Sequence, residues 1–145
     1  MKKIVIIGGG PAGLKAALNA AERYKGKAEI TLIEKNERCG RKLMITGKGR
    51  CNVTNNCDLD TLIANVPKNG RFLYSAFSSF LPQDTMAYFE SAGVPLKTER
   101  GNRVFPLSDK AVDIVDALVK GLRPLGIKQL HATAKSIKTA GEKVI

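Results

Sequence analysis

A glycine motif near the first residue constrains the fold of this chain more than any other sequence feature. Gly8, Gly10 and Gly13 form a Gly-x-Gly-x-x-Gly pattern directly after residues 4–7, a continuous β-branched run that predicts a buried parallel strand. Residues 11–24 are rich in alanine and leucine and predict a helix. A glycine motif between a strand and a helix is the context in which this pattern binds the pyrophosphate of a dinucleotide.

The chain continues into a second predicted strand at residues 29–34, so that residues 3–34 have the length of one strand–helix–strand unit. Glu34 ends this strand about 20 residues after Gly13, where a carboxylate can accept hydrogen bonds from ribose hydroxyls. The predicted fold class is therefore α/β, with a Rossmann-like βαβ unit and a parallel sheet.

Each position of the motif has a physical role in nucleotide binding. Gly8 makes the tight turn, Gly10 lets a pyrophosphate approach the backbone, and Gly13 lets the helix pack closely on the strand. Pro11 and Ala12 open the helix, whose free N–H groups and positive dipole end face the phosphates. An α/β protein can also contain such a turn without binding any ligand.

Residues 35–67 show no clear period and are unusually basic, while the rest of the chain alternates between predicted helices and strands. The predicted helices are 69–80, 82–92 and 109–122. The predicted strands are two within 96–106 around a turn at Gly101 and Asn102, then 127–131, 134–138 and, after a turn at 139–142, 143–145. A long loop in a compact domain is either disordered or functional, and this one has a specific composition.

The basic loop has the features of a segment that covers an anionic cofactor. Six basic residues face one acid, Glu37, between residues 35 and 50; they are Lys35, Arg38, Arg41, Lys42, Lys48 and Arg50. Gly47 and Gly49 allow main chain to lie against a flat ring. Short polar side chains for a ring rich in donors and acceptors are Thr46, Asn52, Thr54 and Asn55.

Residues 40–55 carry the string Thr-Gly-x-Gly-Arg-Cys-Asn-x-Thr-Asn after Gly-Arg-Lys, and Glu-Lys follows the second strand. In these motifs the chain resembles the flavoproteins described as aminoacetone oxidase-like or BaiN-like NAD(P)/FAD-dependent oxidoreductases. The resemblance is strong over residues 1 to about 60 and looser beyond, including Arg-Val-Phe-Pro at 103–106.

The resemblance implies an FAD cofactor, a flavin-dependent oxidoreductase activity on a small-molecule substrate, and NAD(P)H as one candidate electron donor. Arg41 and Lys42 would lie near the ADP half, residues 46–52 near the flavin, and Ala134 beside the adenine. The full set of expected cofactor-binding residues is Gly8, Gly10, Pro11, Ala12, Gly13, Glu34, Lys35, Gly40, Arg41, Lys42, Thr46, Gly47, Gly49, Arg50, Cys51, Asn52 and Ala134. Relatives are described as amine oxidases or as reductases of conjugated steroid-like ketones.

On the same basis we expect residues 1–145 to be the N-terminal portion of an FAD-binding domain whose substrate domain is absent. Its expected parts are the βαβ unit at 3–34, the flavin loop at 35–58, a helical insert at 59–108 and a helix, strand and hairpin at 109–145.

The charge of Glu34 argues against binding of NADP at the glycine motif, because the carboxylate would repel the 2′-phosphate. The positive charge of the neighbouring Lys35 weakens that argument slightly.

No catalytic residue can be assigned from the sequence, because no acid–base pair, nucleophile triad or metal-ligand spacing occurs. Cys39, Cys51 and Cys57 form no C-x-x-C pair and predict reduced thiols in the cytoplasm. Cys51 lies inside the flavin string, where packing is favoured over a redox role. His131 is expected to be structural.

The net charge of +11 leaves other functions open. A nucleic-acid-binding protein or a tRNA-modifying flavoprotein is the alternative, although no tryptophan and no nucleic-acid motif is present, which makes that reading the weaker one. A module that has lost its ligand is a third reading. No apolar run is long enough for a membrane helix, and the sequence leaves the oligomeric state open.

Overall fold

The computed structural model describes residues 1–141, 143 and 144, which group into two compact units. The first unit comprises Met1–Lys42 and the described part of Leu118–Ile145, and the second comprises Leu43–Ala117. The strands are β1 (Lys2–Ile7), β2 (Ala28–Glu34), β3 (Thr54–Asn55), β4 (Leu96–Glu99), β5 (Arg103–Pro106), β6 (Lys128–His131), β7 (Thr139–Ala140) and β8 (Lys143–Val144). The helices are α1 (Pro11–Tyr24), α2 (Arg41–Ile45), α3 (Leu59–Ala64), α4 (Tyr74–Ser79), α5 (Pro82–Ser91) and α6 (Ala111–Lys120), with 3₁₀ turns at Thr46–Gly49 and Gly70–Leu73.

The first unit is built on a three-stranded parallel sheet in the order β1-β2-β6. Its register pairs Ile4 with Ile30 and Leu32 with Gln129. Helix α1 packs on β1 and β2, and its buried residues recur at helical spacing: Leu14, Ala17, Leu18 and Ala21. The βαβ unit and the parallel sheet predicted from the sequence are confirmed, and the observed α1 has the predicted bounds.

The second unit contains a small antiparallel sheet in the order β3-β5-β4. Gly101 and Asn102 both have positive φ angles, 77° and 58°, as the tight turn between β4 and β5 requires. The two strands predicted within 96–106 are thus confirmed. The fully buried side chains of this sheet include Val104 and Phe105.

The predicted helix at 69–80 is wrong in part. Asn69 lies in the left-handed region at φ 56°, so the segment starts as the 3₁₀ turn Gly70–Leu73 and only then continues into α4. The aperiodic stretch 35–67 also holds α2, β3 and α3, the last capped by the Asp58 carboxylate, which accepts a hydrogen bond from Thr61 N at 2.7 Å.

The strand predicted at 134–138 is also wrong, because this segment has no buried face and Ile137 is 65% exposed. Thr139 and Ala140, predicted as part of a turn, instead form β7 and pair antiparallel with β8. Glu142 and Ile145, which belong to the predicted turn and final strand, lie outside the described residues. Within residues 1–141, 143 and 144, no helix has the length and apolar composition needed to cross a lipid bilayer.

Candidate cofactor site

The first glycine motif forms a sharp turn between β1 and α1. Gly8 has a φ angle of 104°, which disfavours any side chain, and its N–H donates to Ile33 O at 2.7 Å. A Cβ atom on Gly13 would lie 1.8 Å from Gly8 O, so only glycine allows the helix to approach the turn. The turn and the close packing that the sequence assigns to these two glycines are both present.

Open space faces the start of α1. Gly10 is the N-cap residue, no side chain caps it, and a Cβ atom placed there would meet no heavy atom within 4 Å. Gly10 is therefore not required by packing inside the protein, in contrast to Gly13. The first N–H groups of α1 can hydrogen-bond an anionic ligand here, which fits the pyrophosphate of a dinucleotide.

Glu34 lies beside this turn at the end of β2. Its Oε2 accepts a hydrogen bond from Gly9 N at 2.6 Å, and its Oε1 accepts from the N and Nδ2 atoms of Asn36 at 2.8 and 2.6 Å. These donors, the backbone N–H of Asn36 first among them, lower the pKa of Glu34 below its ordinary value. The carboxylate is thus ionised, and since two oxygens offer about four acceptor sites, it retains capacity for a ribose hydroxyl.

Three residues outside the predicted site support the turn: Gly9, Asn36 and Cys39. A Cβ atom on Gly9 would lie 2.5 Å from Cys39 Sγ, and Gly40 N donates to Gly9 O at 2.7 Å. Asn36 holds the Glu34 carboxylate from the other side. The sequence does contain an indication for Asn36, because it follows the acid at the end of a strand by two residues. Asparagine at such a position commonly hydrogen-bonds to nearby polar groups. Burial and the charge of Glu34 raise the pKa of Cys39.

A cleft of about 400 Å³ opens at the carboxyl ends of β1 and β2, within the size range of small-molecule sites. Its lining residues are Ile7, Gly8, Ile33, Glu34, Lys35, Asn36, Ala132, Thr133 and Ala134. Ala132 N donates to Glu34 O at 3.0 Å, which fixes the segment that carries Ala134. The structure therefore brings Gly8, Glu34, Lys35 and Ala134 together, as nucleotide binding at the ends of parallel strands requires.

His131 has the structural position expected from the sequence. Its Nε2 lies 2.8 Å from Lys35 O, so the ring connects the end of β6 to the residue after β2.

Arg41 and Lys42 begin α2, and Arg41 Nη1 donates to Asn36 Oδ1 at 3.2 Å. Asn36 thus contacts both Glu34 and Arg41.

The second glycine-rich segment, Thr46 to Asn52, belongs to the second unit. Gly47, Lys48, Gly49 and Cys51 all have positive φ angles, 56°, 57°, 85° and 61°. Cys51 N donates to Thr46 O at 3.1 Å, and Thr46 Oγ1 donates to Leu43 O at 2.8 Å. This gives a compact loop with several left-handed positions, two of them at residues other than glycine.

Two side chains of this loop face protein groups. The Asn52 amide satisfies its hydrogen bonds when its nitrogen faces the main chain, where it donates to Val104 O at 3.2 Å and Thr54 O at 3.0 Å. Cys51 is fully buried, and burial raises the pKa of its thiol. A buried thiol with a raised pKa is poorly nucleophilic, in agreement with the packing role favoured from the sequence.

Arg50 also contacts protein groups. Its guanidinium bonds both carboxylate oxygens of Glu99, at 2.9 and 3.2 Å, and Asp109 Oδ1 at 3.1 Å. Its Cζ lies 4.0 Å from the centroid of the Phe105 ring. Hydrogen bonding to Glu99 raises the pKa of Arg50, and Arg50 in turn lowers the pKa of Glu99. Contact between Arg50 and a cofactor remains a prediction.

The predicted site residues thus fall into two sets. Those between Gly8 and Lys42, with Ala134, belong to the first unit, and those from Thr46 to Asn52 belong to the second. Each set is locally organised, and binding of FAD by either set stays a prediction.

Curated proteins similar to this chain include a bile-acid reductase and a ribosomal RNA dihydrouridine synthase. It is 36% identical over 129 residues to the 3-dehydro-bile acid delta(4,6)-reductase of Clostridium scindens, covering 88% of this chain and 30% of that protein. It is 30% identical over 115 residues to the ribosomal RNA dihydrouridine synthase of Escherichia coli, covering 79% of this chain and 27% of that one. The chain therefore spans less than a third of the length of either enzyme.

A solved structure supports the fold. The crystal structure of Thermovibrio ammonificans THI4 aligns with a TM-score of 0.59 and 15% identity, over 99% of this chain and 44% of that one. Residues 2–145 match the family described as HI0933-like protein Rossmann domain, which confirms the flavoprotein resemblance seen in the sequence. The chain belongs to the HI0933-like Rossmann domain family.

Proposed function

We propose that this chain is the FAD-binding part of a flavin-dependent oxidoreductase. The observation that carries the proposal is the cleft that joins Gly8, Glu34 and Ala134 at the start of an uncapped helix. Open space at Gly10 supports it, since a side chain there would meet no protein atom. A site built around these groups suits a nucleotide with a ribose and a pyrophosphate.

In this proposal the first unit holds the ADP half of the cofactor. Glu34 binds the ribose, the backbone N–H groups at the start of α1 bind the pyrophosphate, and the segment at Ala134 borders the adenine. The ionised Glu34 repels a 2′-phosphate, which favours FAD over NADP at this cleft. Lys35 and Arg41 add positive charge at the same edge of the sheet.

The loop from Thr46 to Asn52 would hold the isoalloxazine ring. Its glycines let main chain approach a flat surface, and its backbone N–H groups can donate to polar ring atoms. When bound, FAD supplies the hydride-accepting and hydride-donating chemistry, so the protein has only to bind and orient the reactants and exclude water.

The proposed reaction of the whole protein is hydride transfer between FAD and either an organic substrate or NAD(P)H. The similar Clostridium scindens protein is named as a reductase of a 3-dehydro-bile acid, which favours a conjugated ketone as the substrate class. Because the chain spans only 30% of that relative's length, we assign no acid or base to the reaction.

The visible absorption spectrum of the purified full-length protein tests this proposal. Flavin bands, and FAD rather than FMN in the heat-released cofactor, are the expected result. Gly10→Ala should weaken flavin binding and lower the free energy of unfolding by at most about 1 kcal/mol, because the added Cβ atom meets no protein atom within 4 Å. A colourless protein that does not take up added FAD would overturn the proposal.

An RNA substrate is the second candidate function. The net charge of +11 and the similarity to the Escherichia coli ribosomal RNA dihydrouridine synthase favour it. A flavin-loaded protein that reduces uridine in ribosomal RNA, and does not reduce conjugated ketones, would establish this candidate. Binding to RNA that disappears in moderate salt would indicate non-specific attraction to phosphates only.

We further propose that the protein works in the cytoplasm. All three cysteines are unpaired thiols in the structure, as a reducing compartment requires. Fractionation of the native host with an antibody against the chain would test this.

A further inference from the structure

Four charged side chains of the second unit form one continuous cluster, which we call the Arg50 clasp: Arg50, Lys97, Glu99 and Asp109. Arg50 bonds Glu99 through both guanidinium nitrogens and Asp109 through one. Lys97 Nζ lies 2.7 Å from Asp109 Oδ2 and 3.4 Å from Glu99 Oε1. Each carboxylate therefore contacts both cations, and the fork of Arg50 is matched to Glu99 in a bidentate geometry.

The clasp joins three segments that are distant in the chain. Arg50 and Glu99 are 49 residues apart, and Arg50 and Asp109 are 59 apart. The Arg50 Cζ also lies 4.0 Å from the centroid of the Phe105 ring, and Phe105 is almost fully buried. The charged end of Arg50 thus packs against the hairpin of β4 and β5.

The loop that carries Arg50 holds backbone angles that depend on support from surrounding groups. Its backbone hydrogen bonds include Arg50 N to Gly47 O at 3.3 Å and Cys51 N to Thr46 O at 3.1 Å. Lys48 and Cys51 adopt left-handed φ angles that side-chain-bearing residues rarely adopt. Such a conformation persists only when surrounding groups impose it. The clasp supplies such an external restraint at Arg50, between Gly49 and Cys51.

We propose that Arg50 is a positioning residue that fixes the loop from Thr46 to Asn52 through Glu99 and Asp109, instead of contacting the cofactor itself. This inference rests on the proposed function, in which the loop holds the flavin ring. It differs from the sequence-based expectation, which placed Arg50 among the residues that touch FAD.

Limited trypsin digestion of the cofactor-free full-length protein tests the first half of the inference. Glu99→Gln keeps the shape of the side chain and removes its charge, so it should release Arg50 and speed cleavage after Lys48, which lies in the loop. Arg103→Gln is the matched control, since the Arg103 guanidinium also lies near Phe105, at 5.9 Å, but bonds Arg100 O instead of the clasp. Faster cleavage after Lys48 in both variants, or in neither, would overturn the inference.

Flavin binding separates positioning from contact. If Arg50 acts through the clasp, Glu99→Gln and Arg50→Lys should each weaken FAD binding about tenfold, as expected for a lost hydrogen bond to a charged group. Both variants should also shift the visible absorption band of the bound flavin. The double variant should bind FAD no more weakly than either single variant. A direct contact also predicts that Arg50→Lys weakens FAD binding, but it leaves Glu99→Gln neutral or favourable, and that result would overturn the inference.

A failure of the underlying function is recognisable in the same experiment. If wild-type protein takes up no FAD, the proposed function fails, whereas the digestion result still reports whether the clasp fixes the loop. If wild-type protein binds FAD and Glu99→Gln binds it equally well with an unshifted flavin band, the positioning role fails alone. Circular dichroism of each variant shows that it is folded before either measurement.

Discussion

The two glycine-rich loops of this chain are held in shape by different physical means. The first, Gly8 to Gly13, is shaped by steric fit and by one carboxylate: Gly13 approaches Gly8 O too closely for a side chain, and Glu34 accepts from Gly9 N. The second, Thr46 to Asn52, is shaped by left-handed backbone angles and by the Arg50 clasp. A glycine count therefore does not show how a loop is stabilised.

This difference has consequences for how each loop responds to change. Packing, and short hydrogen bonds to a part-buried carboxylate, depend less on salt than ion pairs between part-exposed side chains, which salt screens. The first loop should thus be sensitive to small increases in side-chain volume and to loss of the Glu34 charge. The second should be sensitive to salt, and to pH on both the acid and the alkaline side.

The largest effect is expected from Gly13→Ala. The added Cβ atom would lie 1.8 Å from Gly8 O, and since that oxygen belongs to the backbone, either α1 or the turn must move. We expect the free energy of unfolding to fall by about 3 kcal/mol, near the upper end for overpacking. Chemical denaturation followed by circular dichroism measures it.

Gly10→Ala is the matched control for this substitution. Its Cβ atom meets nothing within 4 Å, so the loss should be at most about 1 kcal/mol, the cost of a poorer N-cap residue. Equal losses in the two variants would contradict the steric difference between these glycines.

Glu34→Gln should give the next largest effect. The variant loses the charge that accepts hydrogen bonds from Gly9 N and Asn36, which we expect to cost about 2 kcal/mol at neutral pH. Because the pKa of Glu34 is lowered from its ordinary value of 4.5, this stability is present above pH 4.5 and is lost as the pH falls through the lower folded-state pKa.

Urea denaturation across pH 3 to 7 tests this pH dependence. The difference between wild type and Glu34→Gln should shrink below about pH 4.5. Glu29→Gln, at an exposed position on the same strand, serves as the control for the loss of one carboxylate charge. A difference that stays constant down to pH 3 would show that the Glu34 charge is not the stabilising feature.

These two regions were not equally predictable from the sequence. The βαβ unit was predicted with the correct helix bounds because its signals are local: a β-branched run, three glycines and a helical spacing of apolar residues. The roles of Gly8 and Gly13 followed from the same local pattern. By contrast, the crowding of Gly9 arises from the Cys39 side chain, and nothing in the spacing of these two residues indicates the contact.

The partners of Arg50 show the same limit at longer range. A basic residue in a glycine-rich loop suggests a phosphate ligand, whereas the structure pairs it with Glu99 and Asp109, 49 and 59 residues away. Charge pairing over such separations depends on the fold of the hairpin and has no sequence period. The helix predicted at 69–80 is wrong in part, and the strand predicted at 134–138 is wrong, because a left-handed backbone angle at Asn69 and the solvent exposure of Ile137 are not visible in the residue pattern.

Asn36→Ala should have a smaller effect that is confined to the first unit. It removes the side-chain bonds to Glu34 Oε1 and Arg41 Nη1 and keeps the backbone N–H bond to Glu34. We expect a loss of about 1 kcal/mol, typical of one net hydrogen bond, measured by denaturation at pH 7. Asn65→Ala, which removes a side-chain bond to Thr61 O in the second unit, is the control for an exposed asparagine.

The smallest effect on overall stability is expected from Lys97→Met, which removes one cation from the Arg50 clasp. Asp109 raises the pKa of Lys97 above its ordinary value of 10.5, so the stability from this lysine is present below pH 10.5 and is lost as the pH rises through the higher folded-state pKa. Its partners have pKa values lowered from 3.8 and 4.5, so their contribution is present above pH 4.5 and is lost in acid.

The difference between wild type and Lys97→Met should therefore form a plateau from about pH 5 to pH 10 and decline on both sides, unlike the one-sided decline expected for Glu34. Since the pair is part-exposed, about 1 M salt should remove most of the difference at pH 7. Lys110→Met is the control, because Lys110 lies next to Asp109 in the chain but outside the clasp. A difference that persists in high salt would mean that the lysine stabilises this loop by packing of its aliphatic chain, and the contrast between the two loops would then be one of packing geometry alone.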